Sequence, residues 1–357
     1  MAGQAQSEIM TTETTNKPWV SFCMTTRRRP DFLTKTLRSI QRQSIGDFEV
    51  IVSDNDTAGS GAAVVESLND KRFRHYVNEE DLGMNASFNR SLAKAQGEFV
   101  VMITDDDPIY PEMIETLKDM ATKHPGYGAY FGGCDVLQMN PVIAKLTLHK
   151  VGTNSCLAPI RLDTVRTYTC EQFPHSFFNG ELDMYTLWSV GMVKREIAQE
   201  VGGLPSYGSP YLGDFAYIVS VCSAEGCAII NRALGCQTVH DFNFGRKECD
   251  QLKTAALGFN KYIEGRFGKR PDWPELKPKV EKYVGNWVIL HSLFLLQYFK
   301  QLNITDHNLS AILKELFQIP YIRRLRFYYH LGKLFIYLQQ KQVQLRLAVL
   351  GRMKKAK

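Results

Sequence analysis

Three consecutive carboxylates, Asp105-Asp106-Asp107, close an apolar run from Phe99 to Thr104. Like charges at adjacent positions repel, and a hard divalent cation would neutralise them. Asp105 and Asp106 could hold Mn2+ or Mg2+ against a diphosphate, because these ions take oxygen ligands and leave positions open for phosphate oxygens. The plainer alternative is an exposed acidic loop leading into a helix that Pro111-Glu112-Met113 would start. Asp54 ends a second apolar run, where it could accept hydrogen bonds from a ring imide or a ribose hydroxyl. Gly213-Asp214 precedes the apolar stretch Phe215 to Cys222, and on residue type alone Asp214 fits a helix cap. No GxxxxGK[ST] loop is present, so a bound phosphate would depend on metal and side chains.

The elements that must position these groups alternate in a βα rhythm from Trp19 to about Phe131. Strands are predicted at Val20 to Met24, Phe48 to Ser53, Arg72 to Val77 and Phe99 to Thr104. Helices are predicted at Pro30 to Gln43, Ala62 to Leu68, Asn85 to Ala95 and Pro111 to Lys123. That order implies a parallel sheet with helices on both faces. Polar residues gather where the strands end: Thr25-Thr26-Arg27, then Asp54-Asn55-Asp56, then the Asp triplet. Open α/β sheets bind ligands at that edge, so the three clusters form one crevice. Residues 132–249 are less regular, with Trp188 to Lys194 as a buried strand. Residues 250–357 read as mainly helical, and residues 1–18 as a disordered lead-in.

The 357-residue chain is 44% hydrophobic and 22% charged, an ordinary folded composition. Its net charge of +6 is unevenly spread, for ten Lys/Arg and no Asp or Glu follow Glu315. Basic charge confined to one end argues against a nucleic-acid groove. The eight cysteines form no CxxC pair and read as buried thiols of a cytoplasmic protein. The best membrane-span candidate, Val284 to Phe299, is interrupted by Asn286, His291 and Gln297.

Residues Trp19 to about Phe131, and more loosely on to Phe244, resemble an inverting GT-A family 2 glycosyltransferase. The likeness rests on Val20-Ser21-Phe22-Cys23-Met24-Thr25-Thr26, on Arg29-Pro30 with Leu33, Leu37 and Ile40, and on Glu49 to Asn55. It continues through Asn78, Gly83, Ala86 and Asn89 and through Gly97-Glu98-Phe99 into the Asp triplet. Phe88 departs from the Arg usual before Asn89, and Thr104 replaces the first Asp of the usual DxD. The resemblance implies a Rossmann-like mixed sheet flanked by helices and a nucleotide-diphosphate sugar donor, with UDP as the default. It places Thr25, Thr26, Arg27, Asp54, Asn85, Asn89, Asp105 and Asp106 on the donor. It assigns Asp106, Asp107 and His240 to a metal, and makes Asp214 the base that deprotonates an acceptor hydroxyl. The acceptor would be a glycan or lipid-linked glycan of cell-surface polysaccharide assembly, with Phe177, Phe178, Tyr185 and Trp188 as sugar-stacking or core aromatics. Two rivals are a sugar nucleotidyltransferase, which would need a glycine-rich loop after the first strand, and a non-catalytic sugar-nucleotide or glycan-binding module. The tail Tyr321 to Leu350 reads as a basic aromatic amphipathic surface for a membrane face or a second subunit.

Overall fold

The computed structural model describes residues 17–139, 163–182, 188–240, 249–338 and 341. The expected lead-in, apart from Lys17 and Pro18, lies outside these residues, as do Tyr185 and the tail beyond Lys341. In chain order the first half runs β1 (Val20–Thr26), α1 (Pro30–Gln41), β2 (Phe48–Asp54), α2 (Ala62–Ser67), β3 (Phe73–Val77), α3 (Met84–Ala93), β4 (Phe99–Thr104) and α4 (Met113–Lys123). The second half runs β5 (Ala129–Gln138), β6 (Val165–Tyr168), α5 (Gln172–Asn179), β7 (Gly191–Lys194), α6 (Arg195–Glu200), α7 (Gly213–Glu225) and β8 (Cys227–Val239). The C-terminal helices are α8 (Leu252–Phe267), α9 (Trp273–Gln301), α10 (Leu309–Leu316) and α11 (Pro320–Arg323), and residues 326–338 are also helical.

All eight strands form one sheet in the order β3-β2-β1-β4-β7-β5-β8-β6. The expected parallel pairing holds for β1 to β4, whose central strands are buried on both faces as continuous apolar runs require. Beyond β4 the sheet is mixed: β7 is antiparallel to β4 and β5, and β6 is antiparallel to β8. The predicted strand Trp188 to Lys194 is shorter than expected, with a 3-10 turn at Trp188–Val190 preceding β7. Gly191 permits the insertion, since a Cβ there would lie 2.0 Å from the Phe131 ring.

Parallel pairing brings the carboxyl ends of β1, β2 and β4 into line, with Thr26 opposite Asp54 and Thr25 opposite Thr104. The strand order reverses between β1 and β4, the place where such sheets hold ligands. α1 starts with Pro30 and buries Leu33, Thr36, Leu37 and Ile40. This fixes Arg29 at the mouth of that crevice. On the opposite side, Phe177 and Phe178 of α5 pack with Phe215, Phe259 and Tyr283, ring centroids 5.2–6.4 Å apart. Phe177 and Phe178 are buried, so the core alternative holds for them. Their role is to fasten α8 and α9 to α7.

Candidate functional site

A cavity of about 910 Å³ opens at the carboxyl edge of β1 and β4. Its floor is the Asp triplet. Asp105 is fully buried and accepts hydrogen bonds from Thr26 Oγ1 at 2.7 Å and Arg29 Nη2 at 2.5 Å. Arg29 Nη1 reaches Asp106 Oδ2 at 3.0 Å, so one guanidinium spans two carboxylates. His240 Nε2, at the end of β8, lies 2.9 Å from the same Asp106 oxygen, and its ring stacks on Phe32 of α1 with centroids 4.2 Å apart. Asp107 is committed on both oxygens, to Thr104 Oγ1 at 2.6 Å and to the Thr238 N–H at 2.8 Å. It ties the acidic loop to β8.

These contacts sort the three carboxyls electrostatically. Burial opposes ionisation of Asp106, yet the hydrogen bond from His240 and the Arg29 charge hold its pKa below the usual range. Burial, and then the charge on Asp106, push Asp105 up to about 7 and Asp107 well above the ordinary carboxyl value. The loop is therefore short of positive charge despite Arg29. Among the described residues no group of three His, Cys, Asp or Glu side chains is arranged as a ready metal cage. The donor chemistry nevertheless fits a divalent ion held by a pair. Asp106 at the cavity floor and His240 beside it are that pair, their Oδ2 and Nε2 joined by a 2.9 Å hydrogen bond whose proton a cation would replace. The Asp106 carboxylate is the oxygen donor that Mn2+ and Mg2+ favour, and the His240 imidazole is a borderline nitrogen donor.

Of the remaining expected donor contacts, Thr25, Thr26, Arg27 and Asn85 line the cavity. Asp54 does not. It is fully buried behind the wall and accepts from the N–H groups of Asp56 at 3.0 Å and Gly61 at 2.7 Å, with His75 Nε2 at 3.0 Å. Against the cost of burial, the bond from His75 and those two N–H groups hold its pKa below the usual range. The polar groups on that part of the wall are Asn55 and Asp81, with Arg27 Nη1 2.8 Å from Asp81 Oδ2. Asn89 is likewise engaged elsewhere, donating to Leu204 O at 2.9 Å and accepting from Leu204 N–H at 2.8 Å. It clamps α3 to the segment that leads into α7.

Asp214 stands on the other side of the cavity, in the first turn of α7. Leu212, at φ +62°, makes the turn that delivers it, a conformation costly for a branched residue. Among the described residues the one hydrogen bond to its carboxylate comes from the Phe215 N–H at 2.9 Å, and no Arg, Lys or His pairs with it. Burial against Phe215 and the neighbouring aromatics raises its pKa to about 6. Such a carboxylate is ionised at neutral pH and basic enough to take a proton. Four contributors were not legible as site residues in the sequence: Arg29, Tyr211, Trp287 and His291. Only Arg29 left a signal, as part of an arginine triplet at a strand end. The others are brought in by tertiary packing of α9, which local spacing does not encode.

Residues 21–173 match the family model described as Glycosyl transferase family 2. A Campylobacter jejuni protein named GalNAc(5)-diNAcBac-PP-undecaprenol beta-1,3-glucosyltransferase is 35% identical over 33% of this chain and 38% of its own length. The chain thus spans well under two thirds of that relative. An Escherichia coli protein named UDP-Glc:alpha-D-GlcNAc-diphosphoundecaprenol beta-1,3-glucosyltransferase WfgD is 22% identical over 47% of this chain and 68% of its length. Among solved structures, mannosyltransferase PcManGT from Pyrobaculum calidifontis, in complex with GDP-Man and Mn2+, aligns over 92% of this chain and 87% of its own at TM-score 0.51 and 15% identity. S. aureus TarS 1-349 with UDP-GlcNAc aligns over 88% and 92% at TM-score 0.50 and 15% identity. The mixed sheet with its helical C-terminal region is the GT-A fold, and the resemblance to family 2 is borne out over residues 21–173.

Proposed function

Starting from that family 2 segment, we propose that the chain is an inverting, metal-dependent glycosyltransferase. It moves a sugar from a nucleotide-diphosphate donor, UDP-linked by default, to a hydroxyl of a glycan or lipid-linked acceptor in cell-surface polysaccharide assembly. The observation that carries the reading is the division within one cavity. The Asp105–Asp106 pair is held by Arg29 and His240, whereas Asp214, raised to about 6, pairs with no Arg, Lys or His among the described residues.

Asp106 and His240 would hold the ion, which when bound would offset the charge of the departing diphosphate. Arg29 adds a fixed positive charge beside it. Thr25, Thr26 and Arg27 present polar groups to the nucleotide along the end of β1, and Asp105 is placed for the ribose. Asp54 supports this wall from behind by holding the Asp56 and Gly61 amides. Asp214 accepts the proton of the acceptor hydroxyl as that oxygen bonds to the anomeric carbon. The carbon–oxygen bond to the diphosphate breaks on the opposite side, which inverts configuration. The names of the two bacterial relatives, both acting on diphosphate-linked undecaprenol sugars, support a lipid-linked acceptor.

A lipid-linked acceptor requires access to a bilayer. Among the described residues no helix is long and apolar enough to cross a membrane. The helical residues 326–338 instead expose Phe327, Tyr328, Leu331, Leu334 and Phe335, interleaved with Arg326 and Lys333. Apolar side chains with basic flanks and no acidic residue fit an anionic lipid surface. We place the enzyme on the cytoplasmic face of a membrane by this segment.

Thermal unfolding with UDP, dTDP, CDP and GDP, each with and without Mn2+, tests the donor site. A ligand at 100 times its Kd adds roughly 2.7 kcal/mol. One nucleotide diphosphate should raise the melting temperature with Mn2+ and do so weakly in EDTA, and Asp106→Asn should remove the difference. No shift with any of the four, or a shift indifferent to Mn2+ and to Asp106, would overturn the reading.

A further inference from the structure

The cavity has a wall that donor binding leaves unused. Trp287, His291 and Phe294 occupy positions i, i+4 and i+7 of α9, one stripe on a helix of 3.6 residues per turn. All three line the cavity that holds Asp214. The Trp287 and His291 rings are stacked, with centroids 5.2 Å apart and 16° between planes. Tyr211, just ahead of the Leu212 turn, meets both rings edge-on at 5.6 and 5.1 Å. Core aromatics of α9 such as Tyr298 and Phe299 are buried, whereas these three remain partly exposed towards the cavity.

A polar atom completes the arrangement. Asn85 of α3 donates from Nδ2 to Pro205 O at 2.7 Å, but its buried Oδ1 has no hydrogen-bond partner among the described residues. It sits beside Gly213, the residue before Asp214, where a Cβ would lie 3.8 Å from Asn85 Oδ1 and 3.3 Å from its Nδ2. Leaving a buried acceptor unsatisfied is unfavourable, and such an atom at a cavity wall is satisfied by a ligand donor. The partly exposed Trp287 ring, an acceptor atom in need of a donor and a carboxylate in the same cavity match a pyranose ring. One face of that ring is apolar C–H, and its rim is hydroxyl.

We propose that Trp287, backed by His291 and Tyr211, is the ring on which the acceptor's terminal pyranose stacks, and that Asn85 Oδ1 accepts a hydrogen bond from one of its hydroxyls. The ring so held presents a neighbouring hydroxyl to Asp214. The assignment rests on the glycosyltransferase reading and narrows it. The acceptor group is a sugar ring, and the C-terminal helices supply half of its site.

Saturation-transfer NMR on the full chain, loaded with Mn2+ and the nucleotide diphosphate selected by thermal shift, tests the assignment. The probes are the methyl β-glycosides of glucose, galactose, N-acetylglucosamine and N-acetylgalactosamine. At least one should bind. Trp287→Ala should weaken it at least tenfold and Trp287→Phe less, with the nucleotide–Mn2+ thermal shift retained in both. His291→Ala should weaken it in the same direction, which keeps the test open should Trp287→Ala fail to fold. Binding of no glycoside, or equal binding by the variants, with an intact nucleotide shift would overturn the stacking site alone. Loss of the nucleotide shift in the wild-type chain would overturn the transferase reading, and the stacking site with it.

Discussion

The two sides of the cavity solve opposite problems. On the β1–β4 side acids are crowded together and then restrained, with Asp105 and Asp106 bridged by Arg29, Asp106 met by His240, and Asp107 fixed by Thr104 and Thr238. On the α7–α9 side a single acid stands among aromatic rings with one backbone hydrogen bond. Paired acids hold charge, and an isolated one is poised to exchange a proton. In the proposed reaction the same residue type serves as anchor on one wall and as base on the other, decided by neighbours rather than by chemistry of the side chain itself.

A change of pH should separate the two walls. At saturating donor, transfer should fall about tenfold per pH unit below about 6 as Asp214 takes up a proton. A rate flat between pH 5 and 8 would remove Asp214 from the base role. The same carboxylate should cost stability. Its pKa rises from 3.8 to about 6 on folding, so the folded state is penalised fully above pH 6 and not at all below pH 4. Asp214→Asn should accordingly gain stability at pH 8, by about 1–2 kcal/mol for a partly exposed group, and the gain should vanish near pH 3.5. Chemical denaturation at the two values checks the sign.

A smaller effect concerns Asn89, which serves the boundary between the walls. Asn89→Ala should destabilise the chain by roughly 2 kcal/mol through loss of the two-way clamp on Leu204. The nucleotide–Mn2+ thermal shift should survive. Loss of that shift with unchanged stability would return Asn89 to the donor wall. Weakest of all is the effect of the apolar stripe beyond the aromatic side. Leu334→Asp with Phe335→Asp should reduce flotation with phosphatidylglycerol vesicles several-fold and leave the little binding to phosphatidylcholine unchanged. Equal flotation would detach residues 326–338 from membrane binding, and a change of oligomeric state in their place would mark a subunit contact.

The β1–β4 wall was legible as a crevice before the structure because its residues lie at strand ends, and strand ends announce themselves locally. Apolar runs stopping at Thr26, Asp54 and Asp105 gave both the parallel order and the crevice. Local signals were less informative about what each side chain does there. Asp54 stands at a strand end as expected but turns its carboxylate to the Asp56 and Gly61 amides and His75. Phe177 and Phe178 offered the right chemistry for stacking on sugar, yet the packing of α5 on α8 and α9 consumes them. Trp287 and His291 lie more than 70 residues after Asp214, on a stretch whose apolar character read only as helix. Their approach to the base depends on how α9 docks, and no pattern within the segment records that.

The division of labour between the walls is tested most directly by one variant. With the nucleotide sugar matched to the screen, Mn2+ and its glycan acceptor, Asp214→Asn should lower transfer by a factor of about 10³ or more, in line with loss of a general base and its positioning. Donor Kd, measured on the same preparation, should stay within twofold of wild type. Transfer that survives the substitution, or a donor Kd that collapses with it, would contradict the account.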